Sequence, residues 1–461
     1  MPTPPDQRHH PPPASVDSEV RRQRPLLPRS FLSERPHLRA ITKNLGWLFG
    51  DKMLRMAGSL LLAIWLARYL GTVEFGTYNY VVAFVALFTP IASLGLNDIV
   101  VRDLVRHPDA APLILGTTAT LSMTGGVVAL AACLTGFMLF GTGGVATGVL
   151  VAILGTSLLF KATEVVKYWY QSRTASGETI RIESGMFAVF CAVKLLLIEL
   201  RAPLVAFVIA LAAEALATAI GLILLYTRRV GTQRLWKFQW ERAKELLGDG
   251  MPLILSGSFV LLNMNLDKVM LGRMSGPLEV GLYSAAARLT ESWYFLPTIV
   301  GMSIAPRLTQ LFSHDREAYA RAAQSAFNAL TIVALFVCVL ATMFSEPVVR
   351  VIYGAAYAAA APMLVVHVWT ALFVFHVSLR TQLLVIEHKR MLILAFSSLN
   401  LLANFVINLF AIPRAGGLGA SYASLISWAL CVLIFPLAFM DSRRYPMQFF
   451  FRLPHGSRDH G

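Results

Sequence analysis

Lys52 and Arg55 lie with Asp51 in a largely apolar run from Leu45 to Trp65. Spaced i,i+4, Asp51 and Arg55 share a helical face with Asn44, Gly58 and Leu62. Arg55 is near the middle of the run, where its side chain reaches water with difficulty. Two readings follow: an Asp51–Arg55 ion pair that satisfies itself, or a wet cationic cavity. The extra charge of Lys52 favours the cavity. Arg288 is embedded at a similar depth, with Glu291 three residues on. Ser256, Asn263 and Asp267 fall on one stripe of another run, with Lys268 beside it. Counted from the turn near Gly276, Asp267 and Arg288 differ in depth by roughly 4–5 Å at 1.5 Å per residue. An Asp267–Arg288 pair therefore competes with ligand binding for Arg288. Lys194 and Glu214 flank the turn near Arg201 and are candidates to pair likewise, though with a larger offset in depth.

Asn400, Asn404 and Asn408 form an amide stripe drifting about 40° per step. Amides suit sugar hydroxyls, and they also join packed helices. His367, His376 and Arg380 mark a neighbouring run, where a histidine proton relay is possible. Asp267, Glu214 and Glu291 are the candidates for ion coupling. Groups of this kind at bilayer depth cost about 2.5–3.5 kcal/mol each on insertion scales, so they need partners or a wet cavity.

The elements that must hold these residues follow from composition. Of 461 residues, 56% are hydrophobic and 14% charged, with a mean hydropathy of +0.61. A soluble domain carries about a quarter charged residues, so most of this surface faces something apolar. Apolar stretches near 45–69, 75–97, 113–140, 144–163, 184–200 and 202–226 form one set of six. Stretches near 251–273, 280–305, 322–344, 361–386, 391–412 and 416–440 form a second. The expected fold is an all-α membrane protein of about twelve transmembrane helices in two parallel six-helix lobes around a central cavity. A basic, proline-rich tail (1–40) precedes the N-terminal lobe (41–226). An inter-lobe linker (227–248) leads to the C-terminal lobe (249–440) and a final tail (441–461).

Charge supports that topology. Placing both termini in the cytoplasm puts 29 of the 40 Lys and Arg on that side and five on the other. This is the positive-inside pattern of membrane insertion, and it explains the net charge of +14 without nucleic acid. Gly71-Thr-Val-Glu74-Phe-Gly76-Thr-Tyr78 recurs as Gly276-Pro-Leu-Glu279-Val-Gly281-Leu-Tyr283, in the equivalent loop of each half. Six spans per half make the repeat parallel, a transporter architecture.

Enzyme chemistry finds no support. The sequence has no GxxxxGK[ST] segment, no HExxH and no Ser/His/Asp constellation. Cys133, Cys191, Cys338 and Cys431 stand alone without metal-ligand spacing, so no cofactor or metal is expected. The His9–His10 pair reads as part of a solvated tail. A multi-span glycosyltransferase or ligase with acids in its cavity stays open, as does a scaffold.

The stretches WLARYLG (Trp65–Gly71), EFGTYNY (Glu74–Tyr80) and ASLGLNDIVVRDLV (Ala92–Val105) resemble bacterial oligosaccharide flippases. These belong to the multidrug/oligosaccharidyl-lipid/polysaccharide exporter superfamily. LDKVMLG (Leu266–Gly272), GLYSAAARLTESWYFLP (Gly281–Pro297) and LVIEHKR (Leu384–Arg390) extend the likeness over roughly 40–440. The resemblance implies two lobes meeting in a V, alternating access, and an undecaprenyl-pyrophosphate-linked glycan as cargo in the bacterial inner membrane. It also implies membrane lipid and polysaccharide polymerase or export proteins as partners. In that setting Lys52, Arg55 and Arg288 would hold the pyrophosphate, and Asn400 and Asn404 the sugar. A cation-coupled multidrug exporter of the same superfamily is the alternative. Its cavity should be dominated by carboxylates, whereas the buried charges here show a modest basic excess.

Overall fold

A computed structural model describes residues 35–230 and 236–434; within them, the side chains of 35–49, 51, 52, 249–254, 256, 302 and 390 are not described. Among the described residues every regular element is helical. The N-terminal half comprises α1 (Arg35–Ala86), α2 (Thr89–Ser93), α3 (Asn97–Arg106), α4 (Ala111–Phe140), α5 (Gly144–Gly155), α6 (Val165–Ser172), α7 (Ser176–Glu199) and α8 (Leu204–Val230). The C-terminal half comprises α9 (Trp240–Met274), α10 (Pro277–Glu291), α11 (Phe295–His314), α12 (Arg316–Met343), α13 (Ser345–Tyr353), α14 (Ala361–His367), α15 (Thr370–Ile386) and α16 (Arg390–Leu433).

Six of the described helical segments are each long and apolar enough to cross a membrane, and seven if the bent pair ending in α15 counts as one span. The protein is thus a multi-pass membrane protein. Two of the long helices are not single passes. Gly71 (φ 69°, ψ 179°) breaks α1 into two arms, and Ala415–Gly416 breaks α16. Counting each arm separately and joining broken helices gives a chain course consistent with the twelve expected spans. Glycine is needed at 71 because that backbone region is closed to other residues. Gly276 occupies the equivalent place in the repeat and adopts nearly the same conformation (φ 86°, ψ 177°).

The apolar core runs through both halves, from Leu66, Phe75 and Phe84 to Tyr283, Phe327 and Phe375. At the end of the bundle that carries Gly71 and Gly276, the halves are sewn together. Arg68 donates to the carbonyls of Ile352 (2.7 Å) and Val351, and Tyr357 donates to Ala67 (2.9 Å). Arg273 donates to the carbonyl of Gly141 (3.3 Å). At the opposite end, the residues just before α9 and its first turn lie on the N-terminal half. Arg242 pairs with Asp103 (2.6 Å), and the Lys237 amide donates to Pro112 (3.1 Å). The second half of the expected linker is therefore a docked segment that runs straight into α9.

Candidate functional site

Arg288 is half-buried on α10, about two helical turns (roughly 10 Å) along from the Gly76–Gly281 crossing of α1 and α10. Its helix α10 packs along α1 of the N-terminal half, so Arg288 stands on an element of the seam between the lobes. It makes no ion pair or side-chain hydrogen bond with any described residue. The Asp267–Arg288 pair weighed from the sequence is not formed. Asp267 is only 4% exposed and instead accepts from three neutral donors. These are Tyr283 (2.8 Å), Ser424 (2.5 Å) and Asn408 (2.6 Å). Three short hydrogen bonds stabilise a buried carboxylate without a countercharge, so Arg288 is not needed to neutralise it. Glu291, three residues on, faces Lys268 at 3.6 Å.

Arg55 is also partly buried. Its guanidinium lies 3.7 Å from Glu183 and 5.7 Å from the centre of the Phe187 ring, so α7 faces it. The side chains of Asp51 and Lys52 lie outside the described residues. Glu183 also takes Lys167 at 3.1 Å. Lys167 and Lys161 share Glu164 at 3.2 and 3.1 Å. Among the described side chains, Arg55, Lys161 and Lys167 thus face Glu164 and Glu183 as one charged network. Lys161, Glu164, Lys167, Glu183 and Glu214 line a cleft of about 290 Å³. The nine-residue 3₁₀ stretch Thr156–Glu164 presents two of these residues. A run of that length is unusual and marks a functional or strained segment. Sequence reasoning singled out neither Lys161 nor Lys167 as a site residue and missed this cleft. The acid that organises it, Glu183, is remote in sequence from both Arg55 and Lys167. Glu214 is committed to Lys194 at 2.7 Å, the pair considered across that turn.

The amide stripe divides. Asn408 donates to Asn404 (3.0 Å) as well as to Asp267, and both asparagines are fully buried. Asn404 is thus tied to Asn408 and, through it, to Asp267 inside the C-terminal half. Asn400 lines a small pocket of about 80 Å³ shared with Asn263, Arg380 and Trp428.

A half-buried guanidinium on α10, a charged cleft and a buried carboxylate held by neutral donors lie within one multi-pass helical fold. That fold has solved counterparts. The chain superimposes on the inward-facing form of a multidrug resistance MATE family transporter of the MOP superfamily (TM-score 0.63, 14% identity, 82% of this chain and 92% of that one). It also superimposes on the lipid II flippase MurJ in an inward closed conformation (TM-score 0.66, 14% identity, 86% and 87%). A third likeness is a MOP superfamily transporter from Pyrococcus furiosus described as having a binding pocket of reversed polarity (TM-score 0.56, 15% identity, 85% and 93%). No curated protein sequence matches the chain. Residues 41–312 match the polysaccharide biosynthesis protein family, and the chain belongs to it.

Proposed function

We propose that this protein is a flippase that moves undecaprenyl-pyrophosphate-linked oligosaccharide across the bacterial inner membrane by alternating access, for polysaccharide biosynthesis. Arg288 carries the reading. An arginine on the helix that packs against the other lobe, without an ion pair or hydrogen bond to any described residue, supplies charge and five donors to something that is not protein. A pyrophosphate is the matching anion, and a planar guanidinium binds it bidentately. Arg55, with the neighbouring Lys52, adds positive charge on the N-terminal side of the same path. Asn400 offers an amide to the glycan.

The lobes touch at the Gly71–Gly276 end, so the cargo in this state enters from the opposite end. That end carries the basic loops and faces the cytoplasm, as do both termini. Polysaccharide polymerase and export proteins would take the product. A drug exporter of the same fold handles cationic cargo, and an unpaired Arg288 would oppose it.

The test is glycan export in cells that depend on this protein. Arg288→Gln should abolish export while the protein still inserts and accumulates, and Arg288→Lys should retain part of it. Wild-type export by Arg288→Gln would exclude a pyrophosphate role for this residue.

A further inference from the structure

Asn263 on α9 and Asn400 on α16 converge on the same small pocket of about 80 Å³. They are 6% and 3% exposed, and the Oδ1 atom of each is buried without a hydrogen-bond partner among the described residues. Each stands one helical turn from a committed neighbour, Asn263 from Asp267 and Asn400 from Asn404. Asn408 joins those two neighbours to each other, and it leaves Asn263 and Asn400 aside. We propose that this pocket is a subsite for the acetamido group of an amino sugar.

A buried amide without a partner is costly, and native proteins seldom keep one without a reason. Two of them, from different helices and at one cavity, call for a ligand that completes them. Neither oxygen has a bond to lose. Each amide can therefore turn about its broad terminal torsion and present oxygen or NH₂ to the cavity. The third polar group is Arg380 on α15, which also donates to the Val432 carbonyl at 3.4 Å and offers donors only. The rest of the wall is apolar, with Phe259, Val377, Phe396 and Trp428. Val260 also lines the pocket and is 45% exposed, so the cavity is reached from the surface of α9.

That lining selects among ligands. A hydrocarbon chain would leave both amides and the guanidinium without partners. A cation suits the amide oxygens but is repelled by Arg380. An acetamido group meets every side of the cavity. Its carbonyl accepts from Arg380 or an asparagine NH₂, its N–H donates to an asparagine oxygen, and its methyl packs on the apolar wall. At about 10–15 Å³ per water the cavity holds roughly five to eight waters, room for this arm but not for a whole sugar ring. The ring stays outside.

The use of the pocket in transport rests on the flippase reading, because the sugar arrives on the lipid-linked cargo. Its binding is measured with neither lipid tail nor pyrophosphate. Saturation-transfer NMR on the purified full-length protein in lipid nanodiscs reads it, with N-acetylglucosamine and glucose as probes. The acetyl methyl should carry the strongest transfer, and glucose should bind weaker by about tenfold or more. Asn263→Leu and Asn400→Leu keep the side-chain size and remove the amide. Each should lose the preference while the melting temperature stays near that of the parent. Val377→Phe fills the cavity with both amides intact and should lose it too. Equal binding of the two sugars, or binding of neither, would overturn the subsite; a cavity that takes only hydrocarbon gives one of these results. An undiminished preference in all three variants would overturn it as well. Arg288→Gln should bind N-acetylglucosamine as the parent does, since the probe has no pyrophosphate. The flippase reading fails separately, in the pyrophosphate preference that Arg288 carries.

Discussion

Gly76 and Gly281, 205 residues apart and equivalent in the internal repeat, press against each other's backbone where α1 crosses α10. A Cβ on Gly76 would overlap the carbonyl oxygen of Pro277 and sit 2.8 Å from the Gly281 nitrogen. A Cβ on Gly281 would overlap the carbonyl oxygen of Thr72 and sit 3.2 Å from the Gly76 nitrogen. Thr72 and Pro277 are themselves repeat equivalents. The contact is thus self-complementary between the two halves, like an isologous dimer interface built within one chain. The absence of side chains lets the lobes close at this end.

That contact sets the first prediction. Gly76→Ala or Gly281→Ala forces backbone apart at the crossing, a strain of about 1–3 kcal/mol for overpacking. Each 1.4 kcal/mol shifts a two-state equilibrium about tenfold. Cysteines at Thr72 and Pro277 should cross-link readily in the parent and several-fold less with either alanine. Equal yields would show that this crossing does not hold the closed end.

Orientation is the second. In intact cells, Gly144→Cys should react with a membrane-impermeant thiol reagent, and Lys237→Cys should not. Both are measured in a background lacking the four native cysteines. The reverse labelling pattern would invert the proposed topology.

Breaking the buried cluster and breaking Arg288 should have different costs. Asp267→Asn replaces an acceptor-only carboxylate with an amide facing three donors, a loss of about 3 kcal/mol or more. Protein abundance and thermal stability should fall. Arg288→Gln should leave both near wild type, because no partner is stranded. The double variant should then be as unstable as Asp267→Asn alone, since contacts that do not exist cannot be rescued. Recovery of stability in the double variant would restore the Asp267–Arg288 ion pair.

Arg55 gives a related prediction. Glu183 keeps Lys167 at 3.1 Å when Arg55 is replaced, so Arg55→Gln should cost under about 1 kcal/mol of stability. Glu183→Gln removes the carboxylate that both Arg55 and Lys167 face and should cost more. Unfolding temperatures of the two variants in the same detergent would show the order, and a reversed order would mean that Lys167 does not hold Glu183.

Much of the fold was legible in sequence because bilayer physics acts locally. Apolar length marked the spans, and the repeat motif located both Gly71 and Gly276 before their shared backbone conformation was seen. Partners of the buried charges were less legible. Helical spacing names neighbours on one helix, so Asp51 stood out for Arg55 while Glu183, on α7, did not. Lys194–Glu214 was suggested by its place across one turn and forms despite its larger offset in depth. Depth counting suggested Asp267–Arg288, but rotation about the helix axis turns Asp267 towards Tyr283, Ser424 and Asn408. Depth carries no information about that rotation.

The central claim is that Arg288 holds the anionic head of a lipid-linked cargo. Its most direct measurement is binding of a short-chain polyprenyl pyrophosphate to the purified protein, compared with the same lipid lacking the pyrophosphate. Wild-type protein should bind the pyrophosphate form at least tenfold more tightly, the scale of one charge-assisted bidentate contact of about 1.5–3 kcal/mol. Arg288→Gln should bind the two forms equally, and Arg288→Lys should keep part of the preference. An undiminished preference for pyrophosphate in Arg288→Gln would contradict the account.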